Sequence, residues 1–362
     1  MESRELFLKL VRLGLGIEHN LALPESVDWI YIQDLSNKQG LSGIVLDGVE
    51  TLPVEIKPKK MDLLQWIGEV LQSEQVYAIQ EKAAAEMALV FQHNSIRTYV
   101  LKGAVVAECY PKPQHRVSVD MDCYLSDFKA QDSKERYDEV WEKGNKLIEV
   151  QGYEVKRGFY KNSTFYLPGL TVENHRYMTP FRGNNKLKHL EIMLQSLMMA
   201  DRGDNRFEGT CLYRPPVMVT AMFLIEHAYS HFLHEGLTWR HVLDWMMFSK
   251  MHKEEIEWFS LDAMIDEFGF RKFYDSYYKI GKYLLGEVPD TELTENDNRM
   301  LNDVWDDLDL PESDHGVKGK LTLAGNTWRA RWKYRFFSEI SMIHALWIQT
   351  KGVLFIKNPK LD

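Results

Sequence analysis

The chain has 362 residues, of which 45% are hydrophobic and 27% charged. A chain of this length and composition can bury a sizeable core, which argues against an intrinsically disordered protein. Acidic residues outnumber basic ones and leave a net charge of −9, which argues against broad electrostatic attraction to nucleic acid, DNA included, or to anionic lipid.

Cysteine usage and the apolar segments bear on cellular location. The three cysteines have no metal-ligand or CxxC spacing, and an odd number cannot form a fully paired disulfide framework. A cytoplasmic, reducing setting is the one that we expect. The N-terminal residues lack the apolar core of a signal peptide. The apolar segment 340–356 is interrupted by polar residues and is too short for a membrane span.

The N-terminal half is predicted to begin with helices and to continue into a sheet. Apolar residues recur at helical spacing in the early segments, and a run rich in Pro and Lys over 53–60 precedes a long helix. β-Branched and aromatic residues with period-2 alternation follow and predict strands. The predicted elements up to residue 175 are helices over 4–15, 25–38, 61–92 and 132–151, and strands over 97–101, 117–125, 152–157, 163–167 and 170–175.

From residue 215 onward the pattern is almost wholly helical. The predicted helices cover 221–232, 239–251, 256–268, 271–285, 297–308 and 327–351. Strands and helices in this order predict an α+β fold, with a mixed β-sheet and flanking helices followed by a mostly α-helical C-terminal domain. We expect three parts, namely an N-terminal helical segment over 1–60, a core over 61–214 and a helical domain over 215–362.

Two aspartates on the second predicted strand form the clearest candidate site. Successive side chains on a strand point to opposite faces, so Asp120 and Asp122 project the same way. Met121 and Cys123 point into packing. Two carboxylates on one face suit a hard divalent cation, and Mg²⁺ favours such a pair together with phosphate oxygens. The pattern indicates nucleotide chemistry.

A Lys-Gly turn and an arginine precede these aspartates. Gly103 allows the backbone to approach an anion, and a helix that starts at Ala104 would add its positive end. Lys102 and Gly103 are therefore candidate phosphate contacts. Arg116 can clamp a phosphate through two hydrogen bonds, or it can form a structural ion pair with one of the two aspartates.

Together these residues resemble a known family. The segments Leu101-Lys102-Gly103, Tyr110-Pro111, Arg116 and Asp120-x-Asp122 are similar to the uncharacterised nucleotidyltransferase family of the polymerase-beta-like nucleotidyltransferase superfamily. Further matches follow in the same order, at Val172-Glu173-Asn174-His175, His227-x-x-x-His231, Trp239-Arg240 and Leu243-Asp244. The resemblance covers roughly residues 60 to 250, which is the size of one domain.

The resemblance implies transfer of a nucleoside monophosphate from a nucleoside triphosphate to a hydroxyl group, with release of pyrophosphate. Asp120, Asp122 and Glu173 would then hold Mg²⁺ or Mn²⁺, with Glu173 completing the site or acting as base. His175 shares the predicted strand face of Glu173 and would reach phosphate or acceptor. Glu191, in a segment that reads as a strand or helix edge, is the competing third carboxylate.

A row of histidines leaves other functions open. His227, His231 and His234 recur on one face of a predicted helix, a pattern compatible with a metal-dependent hydrolase, although the glutamate of a zinc-protease motif is missing. The resemblance implies instead that His231 and Asp244 line the nucleotide cleft. Ala104 stands where relatives commonly have Gly or Ser, so a degenerate member that binds nucleotide or a partner without turnover is a further alternative.

The expected partners are a nucleoside triphosphate donor and an acceptor that the sequence does not identify. By analogy this acceptor is a small molecule, a protein or RNA. The basic and aromatic run over 328–337 fits nucleic-acid stacking, the charged face of an amphipathic helix, or docking to a membrane surface or partner. No heptad pattern indicates an oligomer.

Overall fold

A computed structural model of the chain describes residues 2–19, 26–127, 136–157, 160–201, 203–306 and 330–355. These residues form a six-stranded mixed sheet flanked by helices, followed by a helical C-terminal region. The predicted α+β fold is thereby confirmed.

Four helices precede the sheet and are held together by their apolar faces. The apolar repeat of the first helix buries Phe7, Leu10 and Val11 completely. Gly14 and Gly48 let the first and third helices cross closely, because a Cβ on either glycine would collide with a backbone carbonyl of the other helix. The four helices are α1 (Glu2–Gly14), α2 (Trp29–Lys38), α3 (Ser42–Glu50) and α4 (Lys60–His93).

The strand that carries the two aspartates lies near the centre of the sheet. Its strands are β1 (Ile96–Val100), β2 (Asp120–Asp127), β3 (Val155–Lys156), β4 (Asn162–Leu167), β5 (Leu170–His175) and β6 (Leu212–Tyr213). Their order across the sheet is β3-β4-β5-β2-β1-β6, with β2 antiparallel to β1 and parallel to β5. The connecting helices are α5 (Ala104–Ala107), α6 (Arg136–Val150) and α7 (Asn185–Ala200).

The C-terminal region is helical, and its first helix contacts strand β5 of the sheet. Its helices are α8 (Val217–His234), α9 (Trp239–Met251), α10 (Trp258–Glu267), α11 (Arg271–Leu284), α12 (Glu295–Asp306), α13 (Arg331–Phe337) and α14 (Met342–Phe355). Helix α8 is apolar on most of its surface, as expected for a helix enclosed by neighbours. Its Phe223 ring packs edge-on against the His175 ring of β5 at 5.9 Å.

Buried polar contacts tie the N-terminal helices to the C-terminal ones. Gln39 is fully buried, donates to the carbonyl of Val304 and accepts from the amide of Trp239. Arg12 donates to the carbonyl of Leu284 at 2.7 Å. These contacts join the predicted N-terminal segment, which ends at residue 60, to the predicted C-terminal domain, which begins at residue 215. The division of the chain at these two boundaries stays a prediction.

A buried histidine fastens the loop that leads into β2. His115 donates from Nδ1 to Asp47 of α3 at 2.7 Å and from Nε2 to Glu74 of α4 at 2.8 Å. Burial alone would lower the pKa of His115, but the hydrogen bonds and charges of the two carboxylates outweigh burial and raise the pKa above its usual value. The protonated ring therefore joins the loop to two helices.

Several element predictions differ from the structure. The second strand begins at Asp120 and not at residue 117, because the carbonyl of Val117 accepts from Arg240 of α9 instead of from a strand. Residues 188–194, predicted as a strand or helix edge, lie inside α7, which the side chain of Asn184 caps. Helix α3 and strand β6 were not predicted.

The predicted helix over 327–351 is wrong as one element, because α13 and α14 are separate helices. The Ser338 hydroxyl accepts from the amide of Ile340, and the Ser341 hydroxyl accepts from the amide of His344 at the start of α14. Residues 327–329 lie outside the described residues. None of the described helices combines the length and the apolarity that crossing a membrane requires.

Candidate active site

The parallel pairing of β2 and β5 brings two of the predicted carboxylates, Asp122 and Glu173, together and leaves Asp120 one position further along the same face. Asp122 lies opposite Glu173, and Asp120 lies opposite Thr171. Directly paired residues of neighbouring strands point to the same face of a sheet. Both aspartates, Glu173 and His175 therefore share one face, and Phe223 and His227 of α8 contact His175 and Lys102 there.

Asp120, Asp122 and Glu173 are here called the acidic group, and Asp122 is its most enclosed member. Its side chain is 3% exposed, and Oδ1 accepts a hydrogen bond of 2.8 Å from His175 Nε2. Oδ2 lies 3.4 Å from Lys102 Nζ and has no hydrogen-bond partner within the described part of the chain. Burial alone would raise the pKa of Asp122, but Lys102 and His175 outweigh burial and hold the pKa well below its usual range. Asp122 is therefore ionised.

Glu173 lies beside Asp122 and is oriented by β4. Its Oε2 accepts a 2.7 Å hydrogen bond from Asn162 and lies 3.7 Å from His175 Nε2. One ligand atom from each of Asp122, Glu173 and His175 lies within 4.8 Å of the others. Because His175 Nε2 donates to Asp122, the two carboxylates are the groups that can share a cation. Burial raises the pKa of Glu173, and the charges of Asp122 and Asp120 add to the effect. A bound cation would relieve this repulsion.

The Lys-Gly turn lies against the start of β2. Gly103 has a φ of +73°, in the region that favours glycine. Ser118 Oγ donates to the carbonyl of Asp120 at 3.0 Å, and a Cβ on Gly103 would lie 3.4 Å from that same Oγ. The turn itself has Ala104 after the glycine, but the Ser118 hydroxyl lies next to the turn in space.

Lys102 joins the acidic group to a group of three histidines. Its side chain is 8% exposed, and Nζ donates to His227 Nε2 at 2.8 Å. The ring centroids of His227 and His231 are 4.4 Å apart, and those of His231 and His241 are 4.8 Å apart. His227, His231 and His241, here called the histidine cluster, thus combine α8 with α9. His234, predicted on the same face, hydrogen-bonds instead with the Tyr334 hydroxyl.

The hydrogen bonds of the histidine cluster disfavour a metal centre there. An ammonium group only donates, so Lys102 uses the lone pair of His227 Nε2 that a cation would need. The amide of Thr238 donates to His241 Nδ1 at 3.2 Å, which leaves the proton of that neutral ring on Nε2. Burial lowers the pKa values of His227 and His241 well below the usual range, and nearby cations add to the effect. Both rings are therefore neutral.

Arg116 and Asp244 form an ion pair in the protein interior. They are 1% and 3% exposed, and Arg116 donates from Nε at 3.0 Å and from Nη2 at 2.7 Å to the two carboxylate oxygens. The Tyr110 hydroxyl donates to the same carboxylate at 2.8 Å. Burial alone would raise the pKa of Asp244, but Arg116 outweighs burial and lowers it. The structural partner of Arg116 is thus Asp244 and not Asp120 or Asp122, and the pair joins the loop before β2 to α9.

Glu191, the competing third carboxylate, is engaged elsewhere. It is fully buried on α7, where one oxygen accepts from the amide and the hydroxyl of Thr179 at 2.7 and 3.0 Å. The other oxygen accepts from Gln195 at 2.7 Å. Among the described residues, the group that clusters around Asp122 contains Glu173 and not Glu191. Glu191 therefore fastens the loop after β5 to α7.

The basic and aromatic run over 328–337 is buried on one side in its described part. Lys333 is 5% exposed on its side chain and lies 2.7 Å from Asp303 of α12, while Tyr334 and Phe337 are buried. Trp328 and Arg329 lie outside the described residues. Arg331 and Arg335 are exposed, and Trp332 and Phe336 are partly exposed, so stacking on nucleic-acid bases by this part of the run stays a prediction.

Comparison with known proteins adds the family. A family model described as uncharacterised nucleotidyltransferase matches residues 25–286, which is more than half of the chain. The chain belongs to the uncharacterised nucleotidyltransferase family. The matched range contains Lys102, the acidic group and the histidine cluster, and the predicted family is confirmed. No curated protein and no solved structure matches the chain.

Sequence patterns missed several polar residues at the site of this nucleotidyltransferase family member. A signal existed for Ser118, because residues 118, 120 and 122 share the period-2 phase of a strand. Asn162, which orients Glu173, and His241, which completes the histidine cluster, come from other elements. The link from Lys102 to His227 joins residues 125 positions apart and carries no local signal.

Proposed function

We propose that the chain is a metal-dependent nucleotidyltransferase that moves a nucleoside monophosphate from a nucleoside triphosphate to an acceptor hydroxyl and releases pyrophosphate. The observation that carries this proposal is the convergence of Asp122, Glu173 and Lys102 on one enclosed face of the sheet, beside the turn at Gly103. Acidic oxygens for a divalent cation and a basic group for phosphate are the two requirements of nucleotide chemistry.

Asp120, Asp122 and Glu173 are the residues proposed to hold Mg²⁺ or Mn²⁺. Hard cations take oxygen ligands, and Asp122 Oδ2 is a buried carboxylate oxygen that no hydrogen bond from the described residues uses, so the residues fit such an ion. When bound, the ion supplies positive charge that neutralises the triphosphate. Burial raises the pKa of Glu173, which suits this residue to take the proton of the acceptor hydroxyl.

Lys102 and Gly103 are proposed to contact the triphosphate. The Lys102 ammonium lies 3.4 Å from Asp122 Oδ2, so phosphate drawn to this carboxylate through a shared cation comes within its reach. Gly103 leaves the turn open for an anion, and the Ser118 hydroxyl supplies beside the turn the group that Ala104 lacks. His175 orients Asp122 through its 2.8 Å hydrogen bond.

Arg116, Asp244 and His231 take secondary roles in the proposal. The burial of the ion pair favours a positioning role for Arg116 and Asp244, which hold the loop that ends at Asp120. The charge of Arg116 acts on Asp120 from within the protein. His231 belongs to the wall of the cleft, where contact with the nucleotide is the proposed role.

Two alternatives receive different support. A member that binds nucleotide without turnover is the second candidate, because Lys102 already forms an ion pair with Asp122 and because the turn carries Ala104. A hydrolase built on His227 and His231 is disfavoured, since the lone pair of His227 that faces Lys102 is occupied.

A thermal-shift panel tests the proposal. The protein would be melted with ATP, CTP, GTP or UTP, each with and without Mg²⁺ or Mn²⁺, beside the variant Asp120→Asn/Asp122→Asn. A ligand that binds only the folded state raises the melting temperature. Asp306→Asn, which removes an exposed acid paired with Arg4, is the matched control.

We expect a metal-dependent shift with at least one nucleotide, lost in the double variant and kept in the control. Absence of a shift with every nucleotide contradicts the proposal. A shift that is never accompanied by pyrophosphate release, with any acceptor class supplied, favours the second candidate. The acceptor screen would then cover small hydroxylated molecules, proteins and RNA.

A further inference from the structure

One basic side chain occupies the approach to the free oxygen of Asp122. Lys102 Nζ lies 3.4 Å from Asp122 Oδ2, and this is the carboxylate oxygen that no hydrogen bond uses within the described residues. The other oxygen is taken by His175. Asp122 therefore faces a cation or a hydrogen-bond donor on both oxygens.

A second contact keeps the ammonium in this place. Lys102 Nζ donates to His227 Nε2 at 2.8 Å, and the neutral ring accepts without adding charge. Because the side chain is only 8% exposed, water offers it few alternative partners. The ammonium is thus held between a carboxylate on β2, with which it forms an ion pair, and a neutral acceptor on α8.

An ammonium in this position opposes a divalent cation at the same carboxylate. Like charges about 4 Å apart repel strongly where the surroundings exclude water. The carboxylate also has less to offer a cation, since Lys102 balances its charge and His175 donates a hydrogen bond to its other oxygen. The carboxylates alone should therefore bind Mg²⁺ or Mn²⁺ weakly.

A phosphate group changes this balance. Charge-assisted hydrogen bonds from an ammonium to phosphate oxygens are stronger than one to a neutral imidazole. A triphosphate that enters beside Gly103 offers Lys102 such partners and takes the ammonium off Asp122. If phosphate draws Lys102 away from Asp122, then phosphate raises the affinity of the site for the cation. Because coupling between two ligands is reciprocal, the cation raises the affinity for phosphate by the same factor.

We infer that Lys102 holds Asp122 in a state of low affinity for divalent cations, and that a nucleotide phosphate restores the affinity by drawing the ammonium away from Asp122 and His227. The effect of nucleotide phosphate, the second half of this inference, rests on the proposed function. The effect of Lys102 on cation affinity, the first half, concerns the protein and the cation alone.

The test of the first half uses Mn²⁺ without nucleotide. The dissociation constant would be measured by electron paramagnetic resonance of free Mn²⁺ for the wild type, Lys102→Met and Lys102→Arg. We expect Lys102→Met to bind Mn²⁺ about tenfold or more tightly than the wild type, because a nearby positive charge is gone. Lys102→Arg, which keeps the charge, should stay as weak as the wild type.

Controls assign the effect to this site. Adding Asp122→Asn to Lys102→Met should abolish the gain, whereas Lys9→Met, which removes a surface charge paired with Glu5, should change nothing. If Lys102→Met does not fold, Lys102→Gln keeps a donor for His227 and gives the same readout. A Mn²⁺ dissociation constant within twofold of the wild type in the neutral variants overturns the inference, as does equal tightening in Lys102→Arg.

Measurements of the melting temperature test whether nucleotide phosphate restores the affinity for the cation. For the wild type, Mn²⁺ and nucleotide together should raise the melting temperature by more than the sum of their separate effects. For Lys102→Met, this excess over the sum should be smaller. Equal excess in both proteins overturns this half. If no nucleotide shifts the wild type at all, the proposed function fails while the Mn²⁺ experiment still decides the role of Lys102.

Discussion

Replacing Asp244 with asparagine should destabilise the protein strongly, although Asp244 lies outside the acidic group. The carboxylate accepts two hydrogen bonds from Arg116 and one from Tyr110, and both charged side chains are at least 96% buried. Asp244→Asn keeps the shape but removes the charge. The Arg116 guanidinium is then left in the interior without a counter-charge.

The magnitude follows from this burial. Breaking a buried ion pair by removing one partner costs about 3–5 kcal/mol. With an unfolding entropy of about 2.1 cal/mol/K per residue, a chain of 362 residues has roughly 0.76 kcal/mol/K. The melting temperature should therefore fall by about 4–7 °C if the chain unfolds as a unit.

Differential scanning calorimetry of the wild type, Asp244→Asn and Arg116→Met/Asp244→Leu measures this effect. The double variant leaves no buried charge without a partner and should therefore lose less stability than Asp244→Asn. Asp306→Asn, at an exposed pair with Arg4, should change the free energy of unfolding by at most about 1 kcal/mol. A drop below about 1 °C for Asp244→Asn would refute a structural role for the pair.

Three further predictions concern other parts of the site. The pKa of His115 is raised in the folded state, so the contribution of His115 to stability is complete below the ordinary pKa of about 6.5 and is lost as the pH rises through the raised pKa. The difference in melting temperature between the wild type and His115→Gln should therefore shrink from pH 5 to pH 9. A difference that stays constant would contradict the ion pairs of His115. Gly103→Ala should cost about 1–2 kcal/mol of stability, measured by urea denaturation, because φ is +73°, and it should weaken nucleotide binding; unchanged values would mean that the turn relaxes. Glu173→Gln should weaken Mn²⁺ binding with little change in melting temperature, whereas Glu191→Gln should lower the melting temperature and leave Mn²⁺ binding intact; the reverse pattern would make Glu191 the third carboxylate.

The sequence predicts those features that follow from local periodicity. Period-2 alternation was enough to place Asp120 and Asp122 on one strand face, and helical spacing located α9 with the bounds found in the structure. The capping serines that separate α13 from α14 act against an otherwise apolar repeat, so the repeat alone predicted one helix. Resemblance to the family, and not spacing, led to Glu173.

Contacts between distant residues could not be predicted in this way. The partner of Arg116 is 128 residues away, and nothing near Arg116 in the sequence distinguishes Asp244 from the closer Asp120. Likewise, the helical face that carries His227 and His231 predicted His234 as the third ring. The structure supplies His241 instead, because α9 packs beside α8.

The fate of a radioactive label distinguishes transfer of the nucleotidyl group from other reactions of a nucleoside triphosphate. The protein would be incubated with Mg²⁺ or Mn²⁺, a pool of hydroxylated acceptors and nucleoside triphosphate labelled at either the α- or the γ-phosphate. We predict that the α-label moves to an acceptor while the γ-label appears in pyrophosphate, and that Asp120→Asn/Asp122→Asn abolishes both. Transfer of the γ-label to an acceptor would contradict the account.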